Sequence, residues 1–329
     1  MFRLVHLSDV HLGPLPKAKR RELASKRITG YVNWHRNRRD AMGNDTLEKL
    51  INHIHEAQAD HIVITGDLIN LALDEEIDLM ADWLSTVGAP KLVTVIPGNH
   101  DTYVPGALAK IRTAWAPYMC GDGANGSQFP FHRALTDADG RTPVSLIATN
   151  SGRATAPFMA TGSFRQRQAK ALSALLDDTA QHNRFRIVLI HHPPFKGATH
   201  WNKRLIGASR FREVVRNHGA ELILHGHTHI ESDETIGGPY QPVRVVGVPS
   251  ASQQARPVGA NHAKPGAQYN LFEIAELKGS EPSSDAKWSV QFDQFGFADG
   301  EDTVTHLRRT EFDVPGSNTA NGSVAKKAS

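Results

Sequence analysis

The chain of 329 residues contains a single cysteine, Cys120. One cysteine cannot form an internal disulfide, and it argues against a metal site built from thiolates. No stretch reaches the roughly 18 apolar residues that a membrane-spanning helix needs. A strand-like run begins at Phe2 and leaves no room for a secretory leader. From these absences we expect a cytoplasmic protein, at most peripheral to the inner face of the membrane.

Excess charge of one sign is scarce except in one place. The formal net charge is +3, yet the basic segment, residues 17–39, holds nine Lys or Arg residues and one acid, Glu22. This segment therefore carries +8 and the rest of the chain −5. Three interpretations remain open: a solvated helical face, a lid that binds an anionic substrate, or a contact with anionic lipid. Ile28, Tyr31, Val32 and His35 give it a modest amphipathic face, which Gly30 weakens.

Strand-like and helix-like patterns alternate through the first 250 residues, which predicts a central sheet covered by helices. The predicted strands are 2–7, 61–65, 92–96, 186–190, 222–224 and 243–248, and the predicted helices are 45–58, 74–87, 165–179 and 209–218. Strands alone follow, at 268–274, 288–292 and 306–312, and these extend the main sheet or form a second one.

We expect one domain over residues 1–314. Residues 14–43 are a basic insertion or lid, and 256–314 are a C-terminal β segment. Residues 118–140 are predicted to be a surface excursion and 315–329 a disordered tail.

Polar motifs follow five of the predicted strands directly. Because ligand sites in α/β sheets lie beyond the carboxyl ends of strands, these motifs should converge. An imidazole, carboxylate and amide set without sulfur suits Mn²⁺, Fe or Zn²⁺, and two such ions would activate water and clamp a phosphoryl group. The motifs are Asp9-Val10-His11, Gly66-Asp67, Gly98-Asn99-His100-Asp101, His191-His192-Pro193 and His225-Gly226-His227.

In this order and spacing, the motifs DVH, GDLIN, GNHD, HHPP and GHTH resemble those of the calcineurin-like metallophosphoesterase superfamily over roughly residues 1–275. The resemblance implies a four-layer αββα sandwich, with mixed β-sheets flanked by helices and a dinuclear metal site at the strand ends. It also implies an enzyme with two divalent ions and a bridging hydroxide.

Carried over residue by residue, the resemblance implies Asp9, His11, Asp67 and His227 at the first metal, with Asp67 bridging. Asn99, His191 and His225 complete the second site. His100 matches the catalytic histidine that protonates the leaving group. Asp101 is expected to shape its loop rather than to bind metal.

One position departs from the pattern of several relatives, which have a second carboxylate where this chain has Asn70. An asparagine can hydrogen-bond the catalytic imidazole, but it cannot act as its charge partner. Asn70 is also a candidate for binding substrate, together with a segment that follows the HHPP loop. That segment supplies a second wall of the pocket or is an ordinary surface loop, and its candidates are His200, Trp201, Lys203 and Arg204.

Other histidines are expected to be structural, as buried or capping histidines usually are. Those considered are His53, His55, His61, His192, His218 and His229.

The leading hypothesis is hydrolysis of a phosphodiester such as a cyclic nucleotide or glycerophosphodiester. The alternative is a lipid-linked phosphodiester or pyrophosphate cleaved at a membrane surface, with residues 17–39 as the contact. A DNA nuclease ranks third, because such relatives usually carry capping or coiled-coil segments and this chain has neither; nucleic acid is not the expected partner. A scaffold without activity ranks last, since every ligand position is filled. The exact substrate, the metals and the oligomeric state stay open.

Loss of a bridging or terminal ligand should remove the reaction. We expect Asp67→Ala or Asn99→Ala to abolish nearly all Mn²⁺-dependent hydrolysis of bis(p-nitrophenyl) phosphate, because both would bind metal. Wild-type turnover in either variant would contradict the assigned site.

Overall fold

The computed structural model describes residues 1–38, 44–123, 128–254, 264–277 and 286–316. The strands, in chain order, are β1 (Phe2–Leu7), β2 (His61–Ile64), β3 (Val93–Val95), β4 (Phe131–Leu135), β5 (Val144–Ala148), β6 (Gly162–Ser163), β7 (Phe185–Leu189), β8 (Leu205–Ile206), β9 (Leu222–His225), β10 (Ser232–Ile236), β11 (Val243–Gly247), β12 (Gln268–Glu276), β13 (Ala286–Phe297) and β14 (Val304–Pro315). The α-helices are α1 (Arg20–Leu23), α2 (Arg27–Asn33), α3 (Asn44–Glu56), α4 (Asp74–Val87), α5 (Ala107–Ala114), α6 (Gln166–Gln181) and α7 (Ala208–His218), with a π-helical turn at Trp34–Arg38 and a 3₁₀ turn at Ala116–Tyr118.

Two six-stranded mixed sheets form the centre of the fold. The first sheet has the order β14-β13-β12-β1-β2-β3, and the second has the order β10-β11-β9-β7-β5-β4. In the first sheet β1, β2 and β3 are parallel, and β12, β13 and β14 add to it as antiparallel neighbours. In the second sheet β5, β7, β9 and β11 are parallel, with antiparallel strands at both edges. The C-terminal β segment therefore extends the first sheet.

Alternating side chains divide the second sheet between two cores. Leu146, Ile187 and Leu224 point to the large core that also contains the first sheet and the buried faces of α3 and α4. Ile147 and Val188, one residue out of phase, belong to a smaller core with α6 and α7. Both faces of the central strands β5, β7 and β9 are buried, so these strands are mostly apolar. The layers are helix, sheet, sheet and helix, which confirms the predicted αββα sandwich.

The long helices and most strands lie where periodicity predicted them, and α4 has the predicted bounds. Residues 118–140 differ, because Phe131–Leu135 forms the edge strand β4 rather than part of a surface excursion. Its sequence, FHRAL, has only a short alternation of apolar and polar residues. Of the predicted tail, residues 317–329 lie outside the described part of the chain.

Arg133 of β4 ties the edges of the two sheets together. Its guanidinium is buried and donates hydrogen bonds of 2.7–2.9 Å to the carbonyls of Pro90, Val93, Pro117 and Cys120. Val93 belongs to β3 at the edge of the first sheet. One side chain thus donates to four backbone carbonyls.

Removal of this guanidinium should destabilise the fold. We expect Arg133→Met to lower the free energy of unfolding by about 3 kcal/mol or more, because buried carbonyls lose charged donors. Urea denaturation followed by circular dichroism measures the change. The control is Arg141→Met, since Arg141 is 69% exposed and pairs only at the surface with Asp139. Equal stability of the two variants would contradict this role for Arg133.

Candidate metal centre

Five polar residues in the loops after β1, β2 and β9 have a left-handed backbone, which residues other than glycine seldom adopt. Such a conformation costs about 1–3 kcal/mol and persists where the surrounding structure holds it, typically at functional sites. The five are Asp9, His11, Asp67, His227 and His229, with φ between 43° and 73°. The backbone is therefore strained where the polar side chains converge.

Glycine is required between these loops. A Cβ on Gly98 would overlap Oδ1 of Asp67, and a Cβ on Gly66, whose φ is 100°, would lie 2.7 Å from the nitrogen of Gly98. The two loops pack backbone against backbone, which brings Asp67 and Asn99 together.

His191 connects the second sheet to Asp67 of the first. Its Nδ1 donates to the carbonyl of Thr65 at 2.7 Å. Nε2 then lies 3.4 Å from Oδ2 of Asp67 and 3.3 Å from Oδ1 of Asn99. A backbone acceptor on one ring nitrogen is the arrangement that orients metal-binding histidines. Asp67, Asn99 and His191 could therefore hold one cation.

Asp9, His11 and His229 form a second group. Nε2 of His229 lies 3.0 Å from Oδ1 of Asp9 and 3.3 Å from Nε2 of His11. That carboxylate oxygen is buried, and no described residue satisfies it with an aligned hydrogen bond. Two imidazole nitrogens beside an unsatisfied carboxylate oxygen are a donor set that fits a divalent cation.

The two groups are neighbours. Ligand atoms of Asp9, Asp67 and His191 lie within 4.8 Å of one another, and so do those of His11, Asp67 and His100. Asp67 belongs to both of these three-residue sets and so lies between the two groups. A carboxylate shared by two cations needs this position.

The last motif contributes a different pair of histidines from the predicted pair. Both ring nitrogens of His225 lie near protein groups, with Nδ1 2.9 Å from the carbonyl of Gly226 and Nε2 3.0 Å from Oγ of Ser232. The structure thus leaves His225 outside the cluster and brings His229 into it, although His229 was expected to be structural. GHTH is Gly226-His227-Thr228-His229, so the motif itself contains His227 and His229, and the predicted pair was displaced by one histidine.

His227 lies close to His191, with ring centroids 5.2 Å apart. One of its ring nitrogens is within 4.8 Å of ligand atoms of His191 and His192, and its backbone amide donates to Oδ2 of Asp9 at 2.9 Å. Both ring nitrogens of His192 are engaged by protein groups, because Nδ1 contacts Oγ of Ser151 at 2.8 Å and Nε2 bonds the carbonyl of Ala160 at 3.1 Å. His227 is therefore the better metal ligand of the two.

His100 is oriented by a backbone carbonyl. Its Nδ1 donates to the carbonyl of Asn70 at 2.6 Å, and its ring stacks on Tyr103 with centroids 5.4 Å apart. The side chain of Asn70, which could have bonded this imidazole, instead donates to the carbonyl of Leu12 at 3.1 Å. A carboxylate is thus unnecessary to fix the ring. Tyr103 follows the GNHD motif closely, but sequence reasoning did not find it.

Asp101 shapes its loop, as expected. Oδ1 accepts hydrogen bonds from the amides of Leu68 and Ile69, and Oδ2 accepts one from Gly98 at 2.7 Å. Burial, together with the nearby Asp67, raises the pKa of Asp101 to about 7.

Electrostatics around the cluster are dominated by two buried carboxylates. Burial would raise the pKa of Asp67, but His191 and His100 outweigh it and hold that pKa well below its usual value. Burial lowers the pKa of His191, yet Asp67 and Asp9 outweigh it and raise the value to about 9. Burial lowers the pKa of His227 to about 3, which keeps that ring neutral and able to bind a cation. Buried carboxylates of this kind require positive charge beside them.

A cavity of about 510 Å³ opens onto these residues. Of the predicted substrate-binding residues, Asn70, His200 and Lys203 line it, whereas Trp201 and Arg204 do not. The basic segment forms one of its walls. The residues from that segment are Lys26, Thr29, Gly30, Asn33 and Trp34.

The basic segment is helical from Arg20 and docks through Lys26 and Arg27, whereas Lys17, Lys19, Arg20, Arg21 and Arg36 are exposed. Lys26 donates through Nζ to Oγ1 of Thr155 at 2.6 Å and to the carbonyl of Met159 at 2.8 Å, and it lies 4.4 Å from the ring centre of Tyr103. Gly30 is needed for this contact, since a Cβ would lie 2.5 Å from the hydroxyl of Tyr103. The amphipathic face is divided, because Ile28 is 53% exposed whereas Tyr31 packs against the large core.

Comparison with known proteins identifies the family. The family model for calcineurin-like phosphoesterases matches residues 2–231, so the chain belongs to this family of hydrolases. A dimetal phosphatase from Danio rerio has a similar structure, with a TM-score of 0.57 at 12% identity over 95% of this chain and 98% of that one. A 5′-nucleotidase precursor from Thermus thermophilus gives a TM-score of 0.49 at 13% identity, over 95% of this chain and 54% of that one. At these identities the likeness shows the fold alone. None of the curated proteins matches the chain. No helix in the described ranges is long and apolar enough to cross a bilayer.

Proposed function

We propose that the chain hydrolyses a phosphodiester, such as a cyclic nucleotide or glycerophosphodiester, with two divalent ions of Mn, Fe or Zn. The observation that carries the proposal is the unsatisfied Oδ1 of Asp9 beside two imidazoles, adjacent to a second group around Asp67. Bound ions would lower the pKa of water and stabilise charge on the phosphoryl oxygens. The ligands that we propose are Asp9, His11, Asp67, Asn99, His191, His227 and His229.

Other residues of the cavity would bind the substrate phosphate and protonate its leaving oxygen. With Nδ1 of His100 donating to Asn70, Nε2 is the atom that can give a proton to the leaving oxygen, which would contribute about 10²–10⁴-fold. Lys26, His200 and Lys203 line the cavity and could neutralise a phosphate. The cavity volume of about 510 Å³ admits an ester larger than phosphate itself.

Metal content tests the centre. We expect about two transition-metal ions per wild-type chain by mass spectrometry, and about one or fewer for His229→Asn, because this ring faces Asp9. His225→Asn is the matched control and should keep wild-type content, since its ring bonds Ser232. Thermal unfolding of both variants separates loss of metal from loss of fold. Metal lost from the control alone would restore His225 as the ligand, and a metal-free wild type would favour a scaffold.

Lys26 should bind the substrate phosphate in its charged form. Burial lowers the pKa of Lys26 to about 8, although Asp67 opposes the shift. Its charge is present below that pH and is lost above it, so KM for bis(p-nitrophenyl) phosphate should rise as the pH passes 8. Lys26→Met should raise KM about tenfold at pH 7. Lys26→Arg should keep KM low above pH 8, because arginine stays charged.

The exposed Lys91 supplies the control, Lys91→Met, whose KM should equal that of the wild type. A KM for Lys26→Met that matches this control would contradict the role of Lys26.

A second candidate function is favoured by apolar side chains at the mouth of the cavity. Phe158 and Ile230 line the cavity and are 82% and 47% exposed, and Trp201 is 61% exposed. The amide of Asn202 donates to the carbonyl of Phe158, which joins the loops that carry the two aromatic residues. Aromatic residues beside a basic segment are typical of contact with anionic lipid. The substrate would then be a lipid-linked phosphodiester or pyrophosphate.

Vesicle binding distinguishes this second function. If it holds, the wild type should float with vesicles that contain phosphatidylserine, and Phe158→Ser with Trp201→Ser should not, because apolar area that enters the interface is removed. The matched control is Leu79→Ser with Leu92→Ser, two exposed residues that do not line the cavity. Absence of wild-type flotation would rule this candidate out.

A further inference from the structure

A second groove, of about 640 Å³, lies outside the proposed centre and is rich in arginine. Its charged lining residues are four arginines, and no described lining residue is acidic. They come from α5, the loop after β5 and the start of α6. The four are Arg112, Arg153, Arg165 and Arg167.

Ion pairs within the described chain do not account for the charges of Arg165 and Arg167. Arg165 and Arg167 are exposed and form no ion pair with a described residue, and Arg153 donates to Oγ1 of Thr161 at 2.9 Å. Arg165 is the N-cap of α6 and Arg167 lies in its first turn, where no acid occurs. Positive charge at a helix N-terminus is unfavourable. Stability therefore does not explain the placement of these arginines.

The floor of the groove is held in place by side-chain hydrogen bonds. Oε1 of Gln168 accepts from the amide of Asn150 at 2.7 Å, and its Nε2 donates back to the carbonyl of Asn150 at 2.8 Å. Oδ1 of Asn150 accepts from the amide of Gly152 at 2.8 Å. Such a site would need little rearrangement to bind a ligand.

Part of the lining is apolar. Val104, Leu108 and Phe129 also line the groove, so it offers both guanidinium groups and hydrocarbon. Guanidinium groups match phosphate oxygens in pairs of hydrogen bonds. An organic molecule that carries more than one phosphate group could contact both the arginines and the apolar residues of the groove.

The groove is separate from the metal centre, because the two cavities share no described lining residue. They lie back to back across one loop, since a Cβ on Gly152 would overlap the carbonyl of Gly98, which precedes Asn99. A ligand here would not be the ester that reacts. We propose that the groove binds an organic polyphosphate of the nucleoside diphosphate class as a second ligand, beyond the proposed hydrolysis.

Calorimetry with ADP tests this proposal on the full-length chain treated with EDTA, so that binding does not depend on the metal centre. We expect saturable binding near one ADP per chain, and Arg165→Glu with Arg167→Glu should weaken it about tenfold or more. The charge-matched control is Lys91→Glu with Arg216→Glu, two exposed residues outside the groove, which should bind as the wild type does. Both arginines of the test pair are exposed, so the variant should fold.

Two results would overturn the proposal. One is no binding of ADP to the wild type, and the other is equal affinity for ADP in the test and control variants, whether or not both are weakened. Hydrolysis of bis(p-nitrophenyl) phosphate by the same preparations, reloaded with Mn²⁺, should be unchanged in the groove variant. Calorimetry thus tests the binding of ADP in the groove, and the hydrolysis assay tests the proposed function, so failure of one proposal is distinguished from failure of the other.

Discussion

Two carboxylates, Asp9 and Asp67, lie buried close to each other in this protein, and the site is organised around that constraint. An isolated buried carboxylate is too costly to retain unless positive charge accompanies it. Imidazoles from both sheets surround the pair, and one of them, His191, holds a proton more tightly because of them. A divalent ion would supply the same charge from a fixed position, which is why the residues around the carboxylates fit metal binding better than a structural role.

The site exists only where the two sheets meet. Asp9 and Asp67 come from loops of the first sheet, while His191 and His227 come from loops of the second. Main-chain contacts align them: the amide of Asp9 donates to the carbonyl of Gly66, and Oγ of Ser250 donates to the carbonyl of Asp9 at 2.6 Å. The αββα arrangement therefore brings the residues of the site together, because neither sheet alone supplies all of them.

Much of this could be predicted from residues. Apolar runs located the strands, and the polar residues after them converged, because period and burial are local properties of the sequence. His229 rather than His225 lies beside Asp9, and the GHTH motif, residues 226–229, contains His229 but not His225, so the sequence held a signal that the predicted pairing missed. The carbonyl that orients His100 carries no sequence signal at all, since every residue has one. Nor did the sequence show that Gly30, a weak helix former, is where the basic segment fits against Tyr103.

Arg133 lies far from the metal ligands in the sequence, and its four carbonyl partners join β4 to the edge of β3. Since each sheet supplies some of the proposed ligands, the angle between the sheets would set the spacing of the donor atoms. The selectivity of the centre among metals of different radius would then depend on contacts between the two sheets as well as on the ligands themselves. Replacement of one metal by another during evolution could proceed at the sheet edges, with every coordinating side chain left as it is.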